Sequence, residues 1–196
     1  MEKKFFDYND FFIDEKVQFL KFENEYKVFN NEGSQIGAVK QKLTGGQKLQ
    51  RLFFNKAMLP FLMEIADNNG QPLVFVKRGW TFWTSKITLV NPSGQLYGFI
   101  NQKFKLFKPT FNILNPAGQM VGQIVGDWKA WNFEIKDVSG NIIGTINKKW
   151  AGLAKEVFTT ADKYMVHINP EYTHEMNKII ILSTAITIDM VLKESK

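Results

Sequence analysis

Two runs of basic residues interleaved with phenylalanines carry the clearest binding chemistry in this chain. Their cations are Lys48, Arg51 and Lys56 in the first run, and Lys103, Lys105 and Lys108 in the second. Each basic side chain near an anionic membrane contributes about 1 kcal/mol of attraction. The formal net charge of +6 also favours an anionic partner. The competing interpretation is a solvated outer face of a strand or helix, since alternation on a strand produces the same spacing. We predict that these six residues bind anionic lipid.

Catalytic chemistry has little support in the sequence. The chain has two histidines and no cysteine, and it lacks the Gly-x-Ser-x-Gly, Gly-x-Gly-x-x-Gly and Walker A motifs. His167 lies in an alternating run and is expected to be a strand residue, whereas His174 is expected to be solvated. Without cysteine, thiol chemistry and palmitoylation are excluded and a transition-metal site is disfavoured. We expect a protein that is not an enzyme and has no cofactor.

The stretch Lys178–Leu192 is the longest apolar segment and is apolar in every helical direction. Such a helix is buried in a protein core or in a bilayer, and the β-branched residues leave a pair of strands as a third interpretation. Its length of roughly 22 Å and the charge of Asp189 favour a protein core over a membrane span. Asp189 lies near the helix end, where the dipole disfavours an anion. We expect it to have a structural role with a hydrogen-bonding partner.

A unit of alternating residues, a turn and a second alternating run occurs five times. The copies align on Gly33, Gly70, Gly94, Gly118 and Gly140. Each copy is typical of a β-hairpin, with this glycine at a position of positive φ. Four copies have a second glycine four residues later, which indicates a bulge or a close backbone approach.

Five hairpins with single strands at Val17–Phe22 and Tyr164–Ile168 make twelve antiparallel strands. A sheet of this size closes to protect its edges. We therefore predict a mainly β fold, a closed twelve-stranded barrel around a buried C-terminal helix at about residues 176–192. The barrel domain is expected to span residues 17–196, after a loosely docked lead-in of residues 1–16, and Gly45–Met58 has the spacing of a short amphipathic helix.

Three tryptophans stand ten residues after the first glycine of their hairpins. They are Trp80, Trp128 and Trp150. A repeated position that faces a barrel is expected to be core, and the alternative is a set of interfacial membrane anchors. Trp83 and Trp131 lie outside this register and are expected to be more exposed.

The last third of the chain resembles the phospholipid scramblase family. The resemblance rests on IGTINKKWAGLAKEVFTTADKYMV, Ile143–Val166, and on the apolar helix ending in Ile188 and Asp189. It implies the twelve-stranded barrel around a central helix of the wider superfamily, which includes tubby C-terminal domains and plant LURP-one-related proteins. Tubby domains bind phosphoinositides, so the resemblance also suggests a lipid ligand.

The acidic segment that scramblases link to calcium is weak in this chain. Thr160 replaces an acidic residue, and glutamates follow Pro170 in place of aspartates. Asp162, Glu171 and Glu175 are weak metal candidates, because calcium takes about six to eight oxygen ligands. We expect no metal site.

These observations favour a scramblase-like, non-enzymatic protein that binds anionic phospholipid surfaces peripherally. The first sixteen residues lack the apolar core of a signal peptide, so we expect a cytoplasmic protein at the membrane surface. The alternatives are a scaffold protein without lipid activity and, less favoured, nucleic-acid binding through the same cations. No nucleic acid is expected as a partner, and no protein partner can be named.

Overall fold

The computed structural model describes residues 3–16, 25–42, 58–80, 86–103, 109–127, 131–148 and 163–193. This part of the chain contains a 3₁₀ turn at Phe5–Asp7, twelve strands and one α-helix, α1, at Glu175–Lys193. The first six strands are β1 Asp10–Lys16, β2 Glu25–Phe29, β3 Gln35–Lys42, β4 Phe61–Asp67, β5 Pro72–Arg78 and β6 Lys86–Val90. The others are β7 Leu96–Lys103, β8 Thr110–Leu114, β9 Met120–Asp127, β10 Asn132–Lys136, β11 Ile142–Asn147 and β12 Lys163–Ile168.

The twelve strands form one closed antiparallel barrel in which each strand pairs with its neighbours in sequence. β1 closes the ring against β12, with Phe11 opposite Val166. Two polar contacts lie on the outside of this seam: Lys163 Nζ pairs with Asp14 Oδ2 at 3.2 Å, and His167 Nδ1 is hydrogen-bonded to Asp10 Oδ1 at 2.7 Å. The predicted fold class is therefore confirmed, and all five predicted hairpins pair as β2–β3 through β10–β11.

The barrel begins earlier than expected, because β1 lies within the segment that was assigned to a lead-in. Phe11 and Ile13 point inward and are fully buried, and the ring of Phe5 packs against that of Phe11 with 5.5 Å between centroids. The outward Phe12 is also buried, since Phe29 and Met165 cover it. This covered phenylalanine hides the alternation of the strand in the sequence. The strand predicted at Val17–Phe22 and most of the helix predicted at Gly45–Met58 lie outside the described residues.

All five hairpin turns share the same backbone hydrogen bonds and a side-chain oxygen that accepts from the backbone N–H group four residues later. In the first turn the side-chain oxygen of Asn30 accepts from the backbone N–H groups of Glu32 and Ser34, at 3.0 and 2.9 Å. Asp67, Asn91, Asn115 and Asp137 occupy the same position in the other turns. The predicted positive φ is confirmed at all five first glycines, between 79° and 87°. Because the strands alternate in direction, these turns share one end of the barrel, which we call the turn end.

The second glycine of the hairpins lets the strands and the central helix approach closely. A Cβ atom at Gly98 would lie 2.2 Å from the carbonyl oxygen of Leu114 and 3.2 Å from Ile180 Cδ1. Gly122 is close to Ile181 in the same way. Every hairpin also has a register shift beside this position, so the predicted bulge is confirmed.

The helix α1 fills the barrel, as its apolarity predicted. Residues 180–191 are all buried. Two hydroxyl groups bond one turn back, from Thr184 Oγ1 to the Ile180 carbonyl at 2.8 Å and from Thr187 Oγ1 to the Ser183 carbonyl at 2.7 Å. These bonds satisfy polar groups that would otherwise be costly in an apolar core. None of the helices in the described part of the chain is long and apolar enough to cross a bilayer.

We predict that Gly98→Ala destabilises the barrel by about 1–3 kcal/mol, as overpacking of a core does. The reason is the clash of the new methyl group with the Leu114 carbonyl. Gly79→Ala is the matched control, because a Cβ there meets nothing within 4 Å. Thermal unfolding of both variants measures the difference, and equal melting temperatures would contradict the close approach.

Candidate functional site

The strands that lead into the two predicted basic runs, β3 and β7, end at the same end of the barrel. β3 ends at Lys42 and β7 ends at Lys103, and both strands end opposite the hairpin turns. We call this the loop end. Of the six predicted lipid-binding cations only Lys103 is described: it is exposed, on the outer face of β7 opposite Thr110. The other five, Lys48, Arg51, Lys56, Lys105 and Lys108, lie outside the described residues.

Two further exposed lysines at the loop end were not singled out from the sequence. Lys77 is at the end of β5 and lies opposite Thr88, while Lys86 begins β6 and lies opposite Asn101, two residues before Lys103. Among the described residues, no carboxylate lies within 4.0 Å of the ammonium groups of Lys77, Lys86 or Lys103. The sequence does contain a signal for them: both lysines lie near the end of a predicted hairpin strand, at positions whose side chains alternate to the outside.

Two of these lysines lie over aromatic rings on the outer wall of the barrel. Lys86 Nζ lies 3.7 Å from the ring centroid of Phe99, and Lys77 Nζ lies 5.5 Å from that of Phe75. A cation over the face of a ring is attracted by about 0.5–1 kcal/mol at an exposed site. The neighbouring Lys42 differs, because it pairs with Glu64 at 3.3 Å. The net positive charge of this wall therefore lies on β5, β6 and β7.

The turn end has a different electrostatic character. Its carboxylates include Glu32, Asp67, Asp137, Glu171 and Glu175. Hydrogen bonds from Asn141 lower the pKa of Asp137, so that carboxylate stays charged at neutral pH. Among the described residues, the lysines at this end are Lys3, Lys4, Lys136 and Lys178. Burial lowers the pKa of Lys178, which donates to Asn9 Oδ1 at 2.9 Å.

A groove of about 710 Å³ opens at the turn end, between the 3₁₀ turn and the first two hairpin turns. Its lining includes the apolar Phe5, Ile36 and Leu73 and the polar Asn30 and Gln71. It contains none of the predicted cations.

Trp80 is 48% exposed, so its predicted core position is wrong. The last inward residue of β5 is Arg78, which is 3% exposed. Its Nη2 atom donates to the Leu59 carbonyl at 2.8 Å, and its guanidinium lies 4.5 Å from the ring centroid of Phe61. Arg78 thus occupies the inner wall where β5 ends, and Trp80 follows it beyond the strand at the loop end. Trp83, Trp128 and Trp150 lie outside the described residues.

Trp131 departs from its expected exposure in the opposite direction. It is partly buried against the core, with ring centroids 5.2 Å from Tyr164 and 5.9 Å from Phe133. Its φ of 48° turns the chain into β10. Lys148 Nζ lies 4.8 Å from the ring centroid of Trp131.

The buried Asp189 has the partner that its position required. The hydroxyl group of Tyr26, on β2, donates to Asp189 Oδ2 at 2.7 Å; Tyr26 is 1% exposed and Asp189 is 5% exposed. This bond ties the C-terminal part of α1 to the barrel wall, which supports the structural interpretation of the carboxylate.

The remaining candidates are spread over the surface. His167 lies on β12 as predicted and pairs with Asp10, while the exposed His174 contacts the ring of Tyr172. Glu171 and Glu175 are exposed beside the helix start, and Asp162 lies outside the described residues. Within the described ranges, no three His, Asp or Glu side chains are grouped closely enough to hold a metal ion.

Known proteins share both the sequence pattern and the fold. The family described as Scramblase matches residues 15–195. Altered inheritance rate of mitochondria protein 25 of Saccharomyces cerevisiae is 24% identical over 219 residues, which cover 87% of this chain. The match spans 65% of the yeast protein's own length. The X-ray structure of an Arabidopsis thaliana protein matches with a TM-score of 0.57 and 10% identity, over 95% of this chain and 93% of that one. This likeness supports the tubby-like barrel fold.

We predict that Tyr26→Phe lowers the free energy of unfolding by about 1–3 kcal/mol, because it removes a hydrogen bond from a buried carboxylate. Asp189→Asn and the double variant complete a double-mutant cycle measured by chemical denaturation. A coupling energy near zero would show that the bond contributes nothing to stability.

We also predict that calcium does not bind at micromolar concentration near the helix start, because Glu171 and Glu175 are exposed and Thr160 supplies no carboxylate. Isothermal titration calorimetry checks this. Micromolar affinity that disappears in Asp162→Ala would overturn the prediction.

Proposed function

Because this chain belongs to the scramblase family, we propose that it is a non-enzymatic cytoplasmic protein that binds anionic phospholipid membrane surfaces peripherally. The binding surface is the loop end of the barrel. Its cations are the predicted Lys48, Arg51, Lys56, Lys103, Lys105 and Lys108, joined by Lys77 and Lys86.

The single observation that carries this proposal is that both basic runs begin at one end of a rigid barrel. Lys42 and Lys103, which are far apart in sequence, end strands at that same end. A flat, charged lipid surface can then contact the cations of both runs together. With about 1 kcal/mol for each basic residue near the surface, several cations suffice for reversible binding without a covalent anchor.

The filled interior of the barrel supports a function at its surface. α1 occupies the interior, and its side chains meet the strands at the glycines without space for even a methyl group at Gly98. The helix residues that face the strands are buried in this core, from Ile180 to Val191. Lipid contact is accordingly assigned to the outer wall and the loop end.

We predict that reversing Lys77, Lys86 and Lys103 to Glu abolishes sedimentation with vesicles of phosphatidylserine and phosphatidylcholine. Binding of the parent protein requires the anionic lipid and weakens steeply with salt, because screening shortens the reach of each charge to about 8 Å at 0.15 M. The reversed variant keeps its melting temperature, since exposed charges contribute little to stability.

The matched control reverses Lys3, Lys4 and Lys136 at the turn end, which changes the net charge equally. Equal loss of sedimentation in both variants would show that binding depends on the net charge of the protein and not on the position of the lysines.

A second variant, in which Lys48, Arg51 and Lys56 are changed to Glu, tests the first basic run separately. If neither loop-end variant binds less than the parent, the lysines form only a solvated face and the scaffold alternative gains support. Stronger binding to nucleic acid than to vesicles at the same salt concentration would favour the third alternative.

A further inference from the structure

We infer that the barrel docks on the membrane end-on, with Trp80 placed at the head-group level as an interfacial anchor between Lys77 and Lys86. This inference rests on the proposed function and adds an orientation to it. The turn end, with its acidic residues and its groove, then faces away from the membrane.

Trp80 has the surroundings of an interfacial residue. It is a large apolar side chain that is 48% exposed, and it lies two residues beyond the end of β5. Lys77 precedes it by three residues on β5, and the chain returns to the neighbouring strand at Lys86. Tryptophan concentrates at membrane–water interfaces because its ring is apolar and its N–H group forms hydrogen bonds. The two lysines can contact phosphate groups while the indole lies beside them.

The charge of the two ends decides which end faces the lipid. Within the described ranges, the other exposed large apolar residues all lie at the turn end; they are Met120, Val138, Ile142 and Met176. Apolar exposure alone would therefore favour the turn end. However, Asp137, Glu171 and Glu175 accompany these residues, and carboxylates are repelled by an anionic surface. At the loop end, Trp80 lies close in sequence to Lys77 and Lys86, and no described carboxylate lies within 4.0 Å of either ammonium group.

The path of α1 fixes the axis of this orientation. Near its start, Lys178 bonds to Asn9, and near its C-terminal end, Asp189 bonds to Tyr26 at the beginning of β2. The helix thus enters the barrel at the turn end and runs toward the loop end. In the docked protein the helix points its C-terminal end toward the membrane.

The chain has no cysteine, so a single introduced cysteine can carry an environment-sensitive nitrobenzoxadiazole label. Gly79→Cys places the label beside Trp80, at an exposed position where a Cβ meets nothing within 4 Å. Ser139→Cys is the matched control in the exposed β10–β11 turn. With phosphatidylserine-containing vesicles, we expect the Gly79→Cys label to shift to the blue and brighten, while the Ser139→Cys label stays unchanged.

Substitution of the anchor provides a second readout. Trp80→Ala should weaken vesicle binding by about tenfold, through the loss of apolar area buried in the membrane, and a melting curve of the variant checks that it is still folded. Val138→Ala, at an exposed apolar position of the turn end, should leave binding unchanged.

The outcomes separate this inference from the proposed function. If the protein sediments with anionic vesicles but the Gly79→Cys label remains in water, or only the Ser139→Cys label shifts, the orientation is overturned and lipid binding stands. Unchanged binding of Trp80→Ala likewise overturns the anchor. If the protein does not sediment with anionic vesicles at all, the proposed function fails and the orientation fails with it.

Discussion

The fold depends on the burial of one apolar helix inside a ring of strands. α1 is apolar on all faces and cannot be stable in water at this length, because helical stability comes mainly from packing. The strands need a partner as well, because a twelve-stranded barrel is too wide for its own side chains to fill the interior. Each element therefore supplies the surface that the other must bury.

The close fit between helix and strands is achieved on the barrel wall. At Gly98 on β7 and Gly122 on β9 the packing is so close that an added Cβ atom would lie 3.2 Å from Ile180 Cδ1 and 3.3 Å from Ile181 Cδ1. A polar exception lies near the other end of the helix, where Tyr26 bonds to Asp189. Buried carboxylates are costly without hydrogen bonds, so this pair restricts the position of the helix along its axis more than an apolar contact would. The glycines thus set how closely the helix packs, and the hydrogen bond sets where it stops.

The sequence predicted the barrel well because its information is repeated. Five hairpins with glycines in one register identify turns, strand pairs and bulges together, and the apolar helix identifies the filler. The failures have local causes. β1 was missed because Phe12 is covered by neighbours that the sequence alone does not place beside it. Trp80 and Trp131 exchanged their expected exposure because each lies beyond a strand end, where the alternation of a strand no longer decides direction.

The candidate site was only partly predictable, for a reason that lies in the topology. A run of cations in the sequence shows charge, but the pairing of strands decides which charges share a surface. Lys77 and Lys86 join the candidate site because β5 and β6 lie beside β7 in the barrel.

The same topology divides the barrel into two ends with different constraints. The turn end repeats one tight turn five times, held by Asx side chains and glycines of positive φ. The loop end joins the hairpins to one another, and these connections have no shared turn chemistry in the sequence. Their composition can vary without disturbing the hydrogen bonds that close each hairpin, which makes the loop end the part of this fold where a binding surface can be built at little cost to stability.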